Sequence, residues 1–353
     1  MPLQDLLEDD LQFIIFGGKG GAGKTTFAAA TGLYLSGLGK RTLVFSADPA
    51  HSLSDSFGLS IGNKITHIMG NLYGLEINAK KILEDLKNRY REVTDEAFSQ
   101  LFRGIDLPFE REVMRDIMGL SPPGLDELMA LSKLNDIARN REYDLFVIDT
   151  AAGAHTIRLL ELPHSVNEWI ERALQLHDKY RLIAPLEKSR PILEDLKEDV
   201  AKIRASLMDP RRTAFVVVTI PETMGTYVTQ DMIEGLKSCG IPCKGIIINY
   251  VIPSSVECGY CILRRKGQVK RIREVYEKFS KYNVIEMPVF PQEVRGMDSL
   301  TNFARVLFEG KGEPSLPSRR TENIKRTLPR IMKTLRLNLL EKDLRLILFG
   351  GKG

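Results

Sequence analysis

The residues best suited to chemistry lie in the segment GKGGAGKT, which runs from Gly18 to Thr25. It fits the pattern G-x-x-x-x-G-K-[ST] between the apolar run FIIF and a helical pattern, the context that a phosphate-binding loop requires. Glycines let backbone amides surround phosphate oxygens, and the helix adds a partial positive charge. We expect Lys24 to reach the β- and γ-phosphates of a nucleotide and Thr25 to place its hydroxyl on Mg²⁺. The other residues predicted to line the nucleotide are Gly18, Lys19, Gly20, Gly21, Ala22, Gly23 and Thr26.

Two aspartates follow apolar runs further along the chain. Asp48 lies in LVFSADPAHSLSDSFG and Asp149 in FVIDTAAGAH. In open α/β sheets ligands bind at the carboxyl ends of strands. We therefore predict that Asp48 orients the attacking water and that Asp149 holds Mg²⁺ through water. A helix N-cap is the alternative interpretation of either aspartate.

Lys19 is a lysine that the phosphate-binding pattern does not require. One interpretation is a solvated loop charge. The other is that KGGAGKT is the deviant form of the loop, in which the early lysine reaches the phosphates of a neighbouring protomer. This second interpretation makes Lys19 a catalytic residue together with Lys24 and Asp48, and it predicts a dimer.

The four cysteines form two pairs, Cys239 with Cys243 and Cys258 with Cys261. A predicted strand, KGIIINYV, separates the pairs by more than about 20 Å at about 3.3 Å per residue, which one zinc ion could span only if the chain reversed after Tyr250. Cys258 and Cys261 supply two of the four ligands of a structural zinc, so a second protomer would supply the others. A redox pair and unliganded thiols stay open as alternatives. Cys239 and Cys243, at a helix-to-strand turn, are predicted to be structural.

Six apolar runs must position these residues. Continuous runs indicate strands covered on both faces, and the helical patterns between them indicate an α/β fold with a mostly parallel sheet. We assign residues 1–80, 141–155 and 210–310 to a P-loop nucleotide-binding domain. Residues 81–140 and 156–209 have few strand signals and are predicted to form an inserted helical subdomain. The runs are FIIFGG, RTLVFSAD, YDLFVIDTA, TAFVVVTIP, KGIIINYV and VIEMPVF.

The C-terminal part of the chain repeats its beginning. Residues 311–345 read as a linker followed by a basic helical segment, and 346–353 as the start of a second, truncated P-loop repeat. LLEDDLQFIIFGGKG at 6–20 aligns with LLEKDLRLILFGGKG at 339–353, with eleven of fifteen residues identical. We therefore expect the chain to be the first half of a tandem protein, so that pairing within one chain is the alternative to a homodimer.

Composition excludes several classes of protein. The chain has 353 residues and a net charge of only +4, which argues against a primary nucleic-acid role. The acidic N-terminus has no secretory pattern, and no apolar run approaches the ~20 residues of a membrane span. These features predict a cytoplasmic protein without stable membrane insertion.

Five segments, taken in order, resemble one known family. They are KGGAGKTT, DPAHSLSDSFG, DTAAGAHTIRLL, CGYCILRRKGQ and MPVFPQEVRG, and the likeness extends from about Phe13 to Leu307. They resemble the arsenite-pump ATPases, which include the targeting ATPase for tail-anchored membrane proteins. The resemblance implies a dimer that hydrolyses ATP with Mg²⁺ and shares a zinc through its CxxC segment.

The same resemblance implies roles for single residues. Asp48 would activate water, Glu222 and Asn249 would contact the nucleotide, and the segment around Pro288 would line the adenine pocket. The chain departs from the family in reading DTAAGAH for DTAPTGH and DPAHS for DPAHN. Asp149 is retained, so hydrolysis is still expected.

Three uses of ATP remain open at this level. The first is a carrier whose closed dimer binds a hydrophobic client, the second the driving subunit of an arsenite efflux pump, and the third a chaperone for soluble clients. SPPGLDE resembles a sequence at the edge of that carrier's client groove, and the nearby Met114, Met118 and Met129 suit adaptable apolar binding, so both favour the carrier. The stretch 156–209, with Met208 as its only methionine, weakens it. No cysteine lies in either predicted helical stretch, which argues against a metalloid sensor there.

Overall fold

In a computed structural model of the chain, all six predicted apolar runs are strands of a single sheet. The structure describes residues 11–46, 52–77, 136–150 and 189–310, together with a few single positions elsewhere. These ranges belong to the first of two units, Met1–Pro314, and the second unit, Ser315–Gly353, lies outside the described residues. The strands are β1 (Phe13–Gly18), β2 (Thr42–Ser46), β3 (Thr66–Met69), β4 (Leu72–Glu76), β5 (Leu145–Asp149), β6 (Thr213–Thr219), β7 (Cys243–Val251) and β8 (Asn283–Pro288).

The sheet has eight strands in the order β3-β4-β2-β5-β1-β6-β7-β8. All neighbouring strands are parallel except β3 and β4, which form an antiparallel edge hairpin. The prediction of a mostly parallel α/β sheet is confirmed. The hairpin was not predicted, because β3 alternates half-buried with exposed residues and offers no continuous apolar run.

Helices cover both faces of the sheet, as the continuous apolar strands require. Successive residues of β1 alternate between two apolar clusters: Phe13 and Ile15 lie in one, Ile14 and Phe16 in the other. The described helices are α1 (Lys24–Gly37), α2 (Ser52–Phe57), α3 (Ser189–Met208), α4 (Thr223–Ser238), α5 (Gly259–Lys278) and α6 (Met297–Glu309). Helices α1 and α6 contribute to the cluster of Ile14, and α3, α4 and α5 to the cluster of Phe13.

The predicted helical subdomain lies largely outside the described residues. Helix α3 falls within the stretch 156–209, but most of that stretch and of 81–140 is not described, so the division into domains stays a prediction. The segments 311–345 and 346–353 lie wholly outside the described part. Within the described part, no helix is both long enough and apolar enough to cross a bilayer.

Candidate nucleotide site

The loop from Gly18 to Thr25 connects β1, a central strand, to the first turn of α1. Three of its glycines have backbone conformations that other residues rarely adopt, with φ of 143° at Gly18, 73° at Gly21 and 95° at Gly23. A Cβ at Gly23 would lie 2.7 Å from Nδ2 of Asn249, so no side chain fits there without a shift. The glycines therefore allow a close-packed backbone loop at the carboxyl end of the sheet.

A side chain of β7 supports the loop through a hydrogen bond. Asn249 is buried, and its Nδ2 donates a 2.8 Å hydrogen bond to the carbonyl oxygen of Ala22. The observed contact makes Asn249 a support of the loop, while its predicted contact with the nucleotide stays a prediction. Pro288 ends β8, where it pairs with Val251, at the same carboxyl edge of the sheet.

Lys24 begins α1 and is buried, and its Nζ donates to the carbonyl oxygen of Lys19 at 3.4 Å. This bond folds the lysine side chain back onto the loop. An ammonium so placed can neutralise phosphate charge at the mouth of the loop.

Oxygen atoms from three segments meet beside α1. Thr25 Oγ1 donates to Asp149 Oδ2 at 2.7 Å, and Ser46 Oγ donates to the same oxygen at 3.2 Å. Ser52 Oγ lies 3.2 Å from Thr25 Oγ1 and donates to it, because the single Thr25 hydroxyl proton is used on Asp149. Sheet register explains the meeting, because Asp149 pairs with Phe16 of β1 and with Ser46 of β2.

These hydroxyl and carboxylate oxygens are the donors that Mg²⁺ prefers. The donor set thus fits the predicted metal, and Asp149 is fully buried. The predicted roles, Thr25 as a direct ligand and Asp149 through water, stay predictions. Ser46 and Ser52 were not singled out from the sequence. Their positions just before and after Asp48 are the local signal that could have indicated them.

Asp48 itself lies outside the described residues. Its flanks are placed: β2 ends at Ser46, and α2 begins at Ser52. Of these two serines, Ser46 contacts Asp149 and Ser52 contacts Thr25. The role of Asp48 in water activation stays a prediction.

Lys19 forms an ion pair within its own chain. Its Nζ lies 3.5 Å from Oε2 of Glu222, the residue before α4, and the two side chains are 30% and 51% exposed. An exposed pair of this kind contributes at most about 1 kcal/mol. The ammonium can therefore leave Glu222 at little cost when another anion is presented.

The two cysteine pairs lie in different surroundings. Cys243 begins β7, and burial raises the pKa of its thiol to about 12, which supports a structural role. Cys258 is exposed at the start of α5, where a hydrogen bond from the Cys261 amide lowers the pKa of the Cys258 thiol. The exposed side chains of Tyr260 and Leu263 lie beside them.

Strand β7 extends from Cys243 to Val251 and so lies between the two cysteine pairs in the sequence. In the described part of the chain, no three His, Cys, Asp or Glu residues are grouped so that they could hold a metal ion. That the four cysteines do not form one zinc site stays a prediction.

Comparison with known proteins finds similarity over most of the chain. Residues 11–309 match a family described as anion-transporting ATPase. The chain is 31% identical over 332 residues to ATPase ASNA1 homolog 1 of Paramecium tetraurelia, covering 88% of this chain and 97% of the relative. It is 30% identical to ATPase GET3 of Chaetomium globosum, over 86% of this chain and 93% of the relative. It is 32% identical to ATPase GET3B of Arabidopsis thaliana, over 84% and 79%.

Proposed function

Because this chain belongs to the anion-transporting ATPase family and is an ATPase, we propose that ATP closes a pair of its nucleotide domains around a hydrophobic client. The observation that carries the nucleotide part is the meeting of Thr25, Asp149 and Ser46 beside a glycine loop that Lys24 overlies. The client part rests on the resemblance of the chain to the targeting ATPases for tail-anchored proteins. We propose that the protein acts in the cytoplasm.

In this mechanism the loop amides and Lys24 bind the phosphates and neutralise their charge. Thr25 would hold Mg²⁺ directly and Asp149 would hold it through water, and the bound ion would neutralise phosphate charge. Asp48, carried on the segment between β2 and α2, orients water for attack on the γ-phosphate and accepts its proton. Glu222 and the segment around Pro288 complete the nucleotide contacts.

Pairing of two protomers is proposed on two surface features. The Lys19 ammonium is held by a weak, exposed ion pair with Glu222, so that it can transfer to the phosphates of a facing protomer. Cys258 and Cys261 present two thiols beside exposed Tyr260 and Leu263, which is half of a tetrahedral zinc site with apolar surroundings. Both features need a second domain to be complete.

Purified protein is expected to carry about one zinc per two chains, because each chain offers two of four ligands. Metal analysis coupled to size-exclusion chromatography with light scattering measures this ratio. Changing Cys258 and Cys261 to Ser should release the zinc and weaken the dimer. The matched control changes Cys239 to Ser and should leave both unchanged; one zinc per chain, lost in that control, would instead indicate an intramolecular site.

Client binding is expected to depend on ATP and on pairing. With a non-hydrolysable ATP analogue, the protein should dimerise and retain a labelled peptide of ~20 apolar residues, since only a closed dimer offers enough continuous apolar surface. Lys19→Ala should bind the analogue but lose dimerisation and peptide retention together. Light scattering and peptide co-elution measure the two effects.

The same assay separates the other uses of ATP. Arsenite should leave ATP turnover unchanged in the carrier. Stimulation by arsenite without peptide retention would assign the protein to an efflux pump, and a response to neither would favour a chaperone for soluble proteins. If the Lys19→Ala protein dimerised and retained peptide normally, Lys19 would be only a solvated loop charge.

A further inference from the structure

Glu76, the last residue of β4, is a buried carboxylate that the mechanism above does not use. Its side chain and backbone together are only 3% exposed. Oε1 accepts hydrogen bonds from the backbone amides of Leu53 at 2.8 Å and Ser54 at 3.0 Å, and Oε2 accepts one from Ser54 Oγ at 2.6 Å. Hydrogen bonds to a carboxylate are stronger than those to a neutral acceptor, so these three bonds fix the donors firmly against Glu76.

Those donors belong to α2, the helix that follows the Asp48 segment. Helix α2 has only six residues, Ser52–Phe57, which is too short to be stable without external contacts. Glu76 supplies such contacts at its first turn. At its other end the Ser56 carbonyl accepts a 2.8 Å hydrogen bond from the Gly296 amide, which precedes α6. The position of α2 is therefore set by two neighbouring segments.

The first residue of α2 contacts the candidate metal ligand. Ser52 Oγ lies 3.2 Å from Thr25 Oγ1, which is bonded in turn to Asp149. Ser52 immediately precedes Leu53 and Ser54, the two residues whose amides Glu76 holds. Any displacement of that turn from Glu76 would move the Ser52 hydroxyl away from Thr25.

We propose that Glu76 is a positioning residue for the magnesium site, acting by holding the Ser52 hydroxyl against Thr25. This proposal rests on the proposed function, since it assigns a supporting residue to the same site. It explains why a carboxylate is buried at the end of β4, where removal of the carboxylate would leave the buried Leu53 amide and the part-buried Ser54 amide without their acceptor. It also gives the serine of DPAHS a defined contact.

The test measures Mn²⁺ affinity in the presence of ADP, by electron paramagnetic resonance of the full chain. Supporting residues of metal sites typically change affinity by 10-fold or more, so Ser52→Ala and Glu76→Ala should each raise the Mn²⁺ dissociation constant about 10-fold. Because Glu76 acts through Ser52, the effects should not add: the Mn²⁺ dissociation constant of the double variant should be no higher than that of the single variant with the larger constant. Glu76→Gln keeps an acceptor for the two amides and should raise the constant only about threefold, by partial rescue.

Asp144 provides a matched control at the opposite edge of the sheet. It precedes β5, and its carboxylate accepts a 2.8 Å hydrogen bond from the Arg41 amide. Asp144→Ala removes a carboxylate–amide contact of the same kind and should leave Mn²⁺ affinity unchanged. Circular dichroism confirms that each variant is folded.

Additive effects of Ser52→Ala and Glu76→Ala would overturn the proposal, as would an unchanged Mn²⁺ affinity in a folded Glu76→Ala protein. If the alanine variant does not fold, the double-variant test uses Glu76→Gln, and an affinity equal to that of the unaltered protein then overturns it. Failure of the proposed function appears separately, as an unaltered protein that neither dimerises nor retains the apolar peptide with the ATP analogue. The Mn²⁺ measurement needs neither dimer nor peptide, so the two failures are distinguishable.

Discussion

Replacing Asp48 by Asn is expected to lower ATP turnover about 10²-fold or more while ATP binding survives, since only the activation of water is removed. The loop amides, Lys24 and the Thr25–Asp149 pair bind the nucleotide from other segments and remain intact. Steady-state hydrolysis and fluorescent-nucleotide titration measure the two quantities. The expected pattern is a lower kcat with an unchanged dissociation constant.

Asp55 on α2 offers a matched Asp-to-Asn control that follows Asp48 closely in the sequence. It is exposed, and its carboxylate makes only a long contact of 3.8 Å with Arg295 among the ion pairs of the described residues. Asp55→Asn should leave turnover unchanged. Normal turnover in Asp48→Asn would remove Asp48 from the reaction, and loss of ATP binding would give it a structural role instead.

Replacing Gly18 by Ala should destabilise the protein by about 3 kcal/mol or more and abolish ATP binding. A Cβ there would lie 1.9 Å from the carbonyl oxygen of Val218 in the neighbouring strand, so the strands must separate. The backbone φ of 143° adds strain for any residue with a side chain. Overpacking and backbone strain each cost roughly 1–3 kcal/mol, and here they act at one position. Urea denaturation followed by circular dichroism measures the loss.

Gly37 gives the opposite expectation from the same substitution. It is the last residue of α1, and a Cβ there would meet nothing within 4 Å. Gly37→Ala should therefore stabilise the protein by about 0.5–1 kcal/mol, because alanine loses less backbone entropy in a helix. Equal effects of the two substitutions would show that the packing of Gly18 against β6 is not the cause.

Local patterns determined the phosphate-binding loop and the parallel part of the sheet. A loop between an apolar strand and a helix is defined by a few adjacent residues, and a strand buried on both faces is apparent as a continuous apolar run. The edge hairpin of β3 and β4 has neither signal, since its outer strand, THIM, is half-buried and exposed at alternate positions and has no continuous apolar run. Its register with β2 nevertheless places Glu76 beside α2.

Tertiary structure alone decided which side chains meet at the site. Thr25 and Asp149 are 124 residues apart, Ala22 and Asn249 are 227 apart, and Lys19 and Glu222 are 203 apart. Their contacts depend on the strand order, which places β5 and β6 on either side of β1, and no local pattern specifies that order. The sequence therefore determined which residues are suited to phosphate and metal chemistry. The sheet decided that Asn249 supports the loop, that Glu222 holds Lys19, and that Ser52 lies against Thr25, because burial of apolar faces sets the positions of the strands that carry them.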